Sequence, residues 1–216
     1  MHVVMDTCRV NADVRIALMA RAPEPGRAKT RLAPRLGEAG AARLHARLVR
    51  HALREIVATG LSAALWCAPD STHSFFAACA DEFGVSLRAQ PDGDLGSRMA
   101  RIFEAMEGPT LLMGSDCPTI DASLLLRCAK ALSDGAPAVF LPAEDGGYGL
   151  VGLCRPVPAI FVDMPWGTDA VMAETRRRLA ACGVIAKEPA IVWDIDRPQD
   201  IDRLVEMGLV MPDATD

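Results

Sequence analysis

The sequence predicts an α/β fold, with a mostly parallel sheet covered by helices on both faces. Three observations predict it. Short apolar runs alternate with longer amphipathic segments along the 216 residues, which is the pattern of strand–helix units with doubly buried strands. A basic loop punctuated by Pro and Gly follows the first apolar run, where a doubly wound sheet places its anion cradle. A lone carboxylate, Asp116, follows the mid-chain apolar run from Pro109 to Met113. In such sheets the carboxyl end of a strand opens onto the ligand crevice.

The elements follow in order. Residues 14–19 read as a first strand and 38–58 as a long helix stopped by Gly60. Strands are expected at 61–67, 85–89, 110–113, 138–141, 148–153 and 191–195. Helices are expected at 71–83, 97–106, 123–132, 169–182 and 198–207, the last opened by Pro198 in its first turn. The expected organisation is an N-terminal tail at 1–13, a single domain at 14–209 and a C-terminal tail at 210–216.

Half of the residues are apolar, enough for a sizeable core. No apolar stretch reaches bilayer-spanning length. The first thirteen residues lack the apolar centre of a signal peptide. The seven cysteines contain no C-x-x-C pair, so they read as reduced thiols of a cytoplasmic protein. The net charge of −5 hides an asymmetry, because residues 9–54 hold eleven Arg and Lys against three Asp and Glu. That basic third suggests an anionic ligand. Arg43, Arg47, Arg50 and Arg54 lie opposite the apolar stripe of Leu44, Leu48, Ala52 and Ile56, so they read as a solvated face. An acidic chain with few aromatics argues against nucleic acid as a partner.

Within the first loop, Arg21, Lys29 and Arg31 can neutralise a di- or triphosphate, and Gly26 lets backbone N–H groups approach an oxyanion. The plain alternative is a solvated basic loop. The G-x-x-x-x-G-K spacing of a Walker loop is absent. Asp116 is either a cation ligand or the cap of the following turn. Pro118 keeps the chain extended there, which argues against a helix at Asp116. Asp145-Gly146-Gly147 reads first as a hairpin turn. The competing reading is a close backbone approach to a sugar or acceptor. Asp194 and Asp196 share one side of the expected late strand, where they either complete a metal site with Asp116 or cap the last helix. Ser97 and Thr168 are candidate helix caps, and Arg98 is a candidate crevice residue. Trp166 is either core or a stacking surface. No histidine has a nucleophile partner in view, so a Ser–His or Cys–His mechanism is not expected.

Six stretches in this order resemble one family. They are Ala20-Arg21-Ala22-Pro23 with Gly26 and Lys29-Thr30-Arg31-Leu32; Leu95-Gly96 with Arg98-Met99; Gly114-Ser115-Asp116 with Pro118; Glu144-Asp145-Gly146-Gly147-Tyr148; Trp166 with Thr168; and Asp194, Asp196, Pro198 and Asp200. Together, over roughly residues 14–207, they resemble the GT-A-like glycosyltransferase family of the nucleotide-diphospho-sugar transferase superfamily. Its relatives include the phospholactate and molybdenum cofactor guanylyltransferases. The resemblance implies a three-layer α/β/α sandwich on a mostly parallel mixed sheet. It also implies a nucleotide or NDP-sugar ligand, a small-molecule acceptor and Mg²⁺ or Mn²⁺.

Under that resemblance the catalytic set is Asp116, Lys29 and Asp145. The nucleotide is held by Arg21, Gly26, Lys29, Arg31, Leu95, Gly96 and Arg98. The acceptor or sugar lies against Asp145, Gly146, Gly147, Trp166 and Thr168, and the ion on Asp116, Asp194 and Asp196. Arg21 stands where the family more often has lysine. The usual D-x-D reads Gly-Ser-Asp, with one acid. Glycosyl transfer is the leading expectation and nucleotidyl transfer the first alternative. A non-catalytic nucleotide-binding domain is the second alternative. A homodimer is left open.

Overall fold

The computed structural model describes residues 13–206. Seven strands form one sheet in the order β3-β2-β1-β4-β6-β5-β7. They are β1 (Arg15–Arg21), β2 (Ala63–Ala68), β3 (Ser86–Ala89), β4 (Thr110–Gly114), β5 (Ala138–Pro142), β6 (Tyr148–Leu153) and β7 (Ala186–Lys187). The helices are α1 (Ala33–Ala58), α2 (Ser74–Phe83), α3 (Leu95–Ala105), α4 (Ala122–Ser133), α5 (Val171–Ala181) and α6 (Asp200–Glu206). Every strand pairing is parallel except those of β6, which runs antiparallel to both β4 and β5. The hairpin reading of Asp145-Gly146 is therefore correct: Gly146 N–H donates to Ala143 O at 3.0 Å and closes the β5–β6 turn. The chain leaves β4 through α4, enters β5 one strand further out, and returns to fill the gap with β6.

Alternation along the strands builds the three layers. Ile16, Leu18 and Ala20 face α1, α2 and α4, while Ala17 faces α3 and α5. Leu111 and Met113 lie on the first face and Leu112 on the second, as the period of two requires. A third cluster holds Leu32, Leu44, Leu48, Trp193, Ile195 and Leu204. Fully burying a side chain of this size stabilises the fold by about 1.5–3 kcal/mol. Trp193 and Ile195 therefore pin the late segment onto α1 and leave Asp194 between them on the other side.

Several elements differ from expectation. Helix α1 starts at Ala33 rather than residue 38 and kinks at Gly37, where φ is 68° and ψ is 166°. The expected strand at 191–195 makes only one bridge, Val192 to Ala143. The pairing with β5 breaks off after Lys187, and Pro189 has no N–H to continue a ladder. Helix α3 starts at Leu95, with Asp94 rather than Ser97 as its cap; Asp94 accepts from Ser97 N–H at 2.7 Å. Helix α5 starts at Val171, beyond Thr168, and Thr168 Oγ1 accepts only a 3.3 Å bond from Ala170 N–H. Asp196 does not cap α6: Asp200 accepts its N–H at 2.9 Å and that of Arg197 at 2.6 Å.

Cys67, Cys79, Cys117, Cys128 and Cys182 carry free thiols. Cys154 departs from the expected reduced state and is disulfide-bonded. The odd count and the long spacings gave no local signal for that pairing. Cys8, Met207 and the expected tails, apart from Asp13, lie outside the described residues. No helix among the described residues is long and apolar enough to cross a membrane.

Candidate active site

The carboxyl ends of β1 and β4 open into a cavity of about 440 Å³. The chain steps outward from β1 to β2 and β3, then crosses back through α3 to β4 on the other side of β1. This is the switch point at which open sheets form their crevice. Arg21 and Arg98 line it from β1 and α3, and Asp116, Asp145 and Asp194 line it from β4, the β5–β6 turn and the late segment. Tyr148, Trp166 and Thr168 complete the wall beside Asp145.

Asp116 is the most connected of these groups. Lys29 Nζ lies 2.9 Å from its Oδ1, and the lysine side chain is only 7% exposed. The same ammonium donates to Ile195 O, and Ile195 N–H donates to the Asp116 carbonyl at 2.9 Å. Lys29 adopts a left-handed backbone, with φ 50° and ψ 43°, at the start of a 3-10 turn, Thr30–Leu32. Non-glycine residues hold that conformation at a cost, so surrounding contacts must fix it. Its ammonium is thus spent on Asp116 and Ile195 rather than open to the cavity. Ser115, itself buried, points its hydroxyl at Asp116 Oδ1 from 3.4 Å.

Asp194 is half-buried, and its carboxyl is pushed up to about 6, first by burial and next by the charge of Asp145. A carboxyl raised by burial and by a neighbouring negative charge is one that a cation would return to its charged form. Among the described residues, no group of three His, Cys, Asp or Glu side chains could hold an ion alone. This donor set fits a Mg²⁺- or Mn²⁺-type ion that takes one or two carboxylates and completes its shell with phosphate and water. Asp196 is not part of it. Its carboxylate pairs with Arg31, and neither residue lines the cavity.

The glycines separate in the same way. A Cβ on Gly26 would meet the Glu38 carboxylate at 3.2 Å, so this turn faces α1. A Cβ on Gly96 would lie 2.2 Å from Phe161 O, and one on Gly146 would lie 2.2 Å from Asp169 O. Both glycines admit close backbone packing of the segments behind the site. Leu95 stays at the rim, 46% exposed. Gly147 lines the cavity, and its N–H donates to Asp145 Oδ1 at 2.9 Å, orienting that carboxylate.

Four lining residues with polar side chains, His45, Gln90, Ser115 and Tyr148, were given no site role by the sequence. His45 sits on the buried stripe of α1, and its Nε2 lies 2.9 Å from Arg21 O. A carbonyl only accepts, so Nε2 carries the proton, and Nδ1 is buried without a partner. Burial lowers the pKa of the ring, and the charge of Asp116 partly offsets it. Gln90 Nε2 donates to Ala20 O at 3.1 Å and to Trp66 O at 2.9 Å. Both amide hydrogens are spent, leaving Oε1 as the acceptor. Ser115 is the third. Tyr148 is the fourth, quoted in the family motif but given no role. It stacks edge-on to Trp166 at 6.3 Å, and neither its hydroxyl nor the indole N–H has a partner. Gln90 could have been found by its place alone, a polar residue directly after the expected strand at 85–89. His45 could have been found as a histidine on an apolar helical stripe.

No curated protein sequence matches this chain. Solved structures do. A protein of Desulfovibrio desulfuricans G20, described as a "putative nucleotide-diphospho-sugar transferase", matches with TM-score 0.81 and 24% identity over 95% of this chain and 90% of that one. The 4-diphosphocytidyl-2C-methyl-D-erythritol synthase of Anaerococcus prevotii DSM 20548 matches with TM-score 0.61 and 10% identity over 92% and 99%. The glucosyl-3-phosphoglycerate synthase of Mycobacterium tuberculosis, solved with Mn²⁺, UDP and glucosyl-3-phosphoglycerate, matches with TM-score 0.54 and 12% identity over 96% and 83%. At these identities the likeness is one of fold, and it is the fold that the six stretches imply. Residues 48–168 match the model of a family described as "Uncharacterized protein conserved in bacteria" (DUF2064), and the chain belongs to that family.

Proposed function

We propose that this protein is a divalent-ion-dependent transferase that uses a nucleotide-activated sugar and delivers the sugar to a small hydroxylated acceptor. The observation that carries this reading is the gathering of both charges in one crevice, which Arg21 and Arg98 line together with Asp116, Asp145 and Asp194. Arg21 and Arg98 grip the diphosphate with charge-assisted hydrogen bonds. Asp116 and Asp194 are the residues that would hold the ion. When bound, such an ion stabilises charge developing on the departing nucleoside diphosphate.

The acceptor lies between Asp145 and the Tyr148–Trp166 wall. Asp145 Oδ1 is engaged by Gly147 N–H, which leaves Oδ2 to take the acceptor's hydroxyl proton as that oxygen bonds to the sugar. The bond from the sugar to the diphosphate breaks, and Arg21 and Arg98 retain the released anion. One domain, residues 14–209, carries the whole site under this proposal.

The runner-up is nucleotidyl transfer, in which an acceptor phosphate attacks the α-phosphate of an NTP and releases pyrophosphate. The fold shared with a diphosphocytidyl-product synthase favours it. The carboxylate of Asp145 on the acceptor side favours a neutral hydroxyl over a phosphate. Incubation with each NTP, and separately with UDP- and GDP-sugars, tests the choice. Release of nucleoside diphosphate supports glycosyl transfer; pyrophosphate without nucleoside diphosphate refutes it.

A further inference from the structure

We infer that Lys29 is a built-in cation that guards Asp116, so that the divalent ion enters the site with a phosphate ligand and not before it. This rests on the reading of Asp116 as an ion ligand. The side chain of Lys29 is nearly excluded from solvent, and its ammonium sits 2.9 Å from Asp116 Oδ1. Its other partner is a neutral carbonyl, that of Ile195. A buried ammonium needs a counter-charge, because desolvation penalises an unpaired ion heavily. Asp116 is the only carboxylate paired with Lys29 among the described residues.

A divalent ion arriving alone on Asp116 would meet the ammonium at close range. It would either suffer that repulsion or strand the lysine without an anion. A di- or triphosphate removes both problems. Its oxygens, drawn to Asp116 by the ion, offer Lys29 a new counter-charge in place of that carboxylate, and they supply the remaining ligands of the ion. The lysine then moves from carboxylate to phosphate as the ion takes the carboxylate. Lys29 is therefore a positioning residue in the ligand-free protein and a phosphate contact in the loaded one. The two roles are linked by one exchange of partners. The left-handed backbone of Lys29, fixed at the head of the Thr30–Leu32 turn, holds the stem in place while the ammonium exchanges.

The test is direct Mn²⁺ binding to the nucleotide-free protein, read as loss of the free-Mn²⁺ electron paramagnetic resonance signal. Lys29→Met keeps an apolar stem of similar length and removes the charge. It is expected to bind Mn²⁺ at least roughly tenfold more tightly than wild type, the order set by removing one nearby unit charge. Lys29→Arg keeps the charge and is expected to bind as weakly as wild type. The double variant Lys29→Met/Asp116→Asn is expected to lose the gain. Equal Mn²⁺ affinity in wild type and Lys29→Met overturns the guard if Asp116→Asn alone still weakens binding. If Asp116→Asn also changes nothing, the assignment of Asp116 as an ion ligand fails instead.

A second measurement needs no lysine variant to fold. The chain has only three lysines, Lys29, Lys130 and Lys187, so an ¹⁵N-lysine spectrum of wild type is simple. The Lys29 ammonium signal is expected to stay in place with Mg²⁺ alone and to move with Mg²⁺ plus pyrophosphate. A shift with Mg²⁺ alone, or none with both, overturns the inference.

Discussion

His45 Nε2 donates to the backbone carbonyl of Arg21 across 2.9 Å, tying the buried face of α1 to the end of β1. The bond fixes the point where the chain leaves the sheet and enters the basic loop. Arg21 is thereby held at the rim of the crevice by a neutral imidazole.

That geometry predicts a pH dependence of stability. Burial lowers the pKa of folded His45 below its ordinary value of 6.5. The unfolded chain then binds a proton that the folded chain resists, so the contribution is complete above about pH 6.5 and is lost as pH falls below it. Thermal unfolding is expected to show a steeper loss from pH 7.5 to pH 5 in wild type than in His45→Gln. Parallel curves for the two proteins would contradict this. His45→Ala is expected to cost about 1–3 kcal/mol, the usual effect of orphaning a buried carbonyl.

Two arginines, Arg98 and Arg31, are predicted to differ. Arg98 lines the cavity, its Nε–H donating to Gly93 O at 2.8 Å. Arg31 pairs with Asp196 outside it. Arg98→Ala is expected to weaken nucleoside diphosphate binding by about 10- to 100-fold, corresponding to about 1.5–3 kcal/mol for a charged hydrogen bond. Arg31→Ala is expected to leave that affinity within about twofold, since an exposed ion pair contributes little. Isothermal titration decides, and the reverse ranking would move the phosphate site to the outer loop.

Gly96→Ala is predicted to damage the site from behind. Its Cβ would lie 2.2 Å from Phe161 O and 3.0 Å from Trp166 Nε1. Helix α3 and the segment carrying Trp166 must then separate. Overpacking of this kind costs about 1–3 kcal/mol. Urea denaturation checks the stability, and loss of the Trp166 fluorescence environment checks the cause. Wild-type stability in this variant would show that the two segments pack more loosely than described.

Much of this was legible in the sequence. Apolar alternation located the strands, because inward and outward residues of a doubly covered sheet both leave a trace, as Leu111, Leu112 and Met113 do. The place of Asp116 in the crevice was legible because it lies just beyond such a run, where the carboxyl end of the strand opens. What was not legible depends on long-range pairing. Lys29 and Arg31 are two residues apart in one basic loop. Their roles split only because Ile195 and Asp196 come back beside them from the other end of the chain. Gly96 was placed at the nucleotide by resemblance, and Gly146 was read first as a hairpin residue with ligand approach as the competing reading; the backbone that both admit belongs to Phe161 and Asp169. The late strand failed for a local reason: Pro189 breaks the ladder that Val192 briefly resumes.

The central claim is that the crevice binds a nucleotide diphosphate group through Arg21 and Arg98 together with an ion on Asp116 and Asp194. Its most direct test is thermal unfolding of wild type against a panel of nucleoside di- and triphosphates and NDP-sugars, each with and without Mn²⁺. Specific binding raises the melting temperature by mass action. The account predicts that at least one nucleotide raises it by several degrees only when Mn²⁺ is present, and that Asp116→Asn abolishes the rise. No rise with any nucleotide, or an equal rise without the ion and in Asp116→Asn, would contradict it.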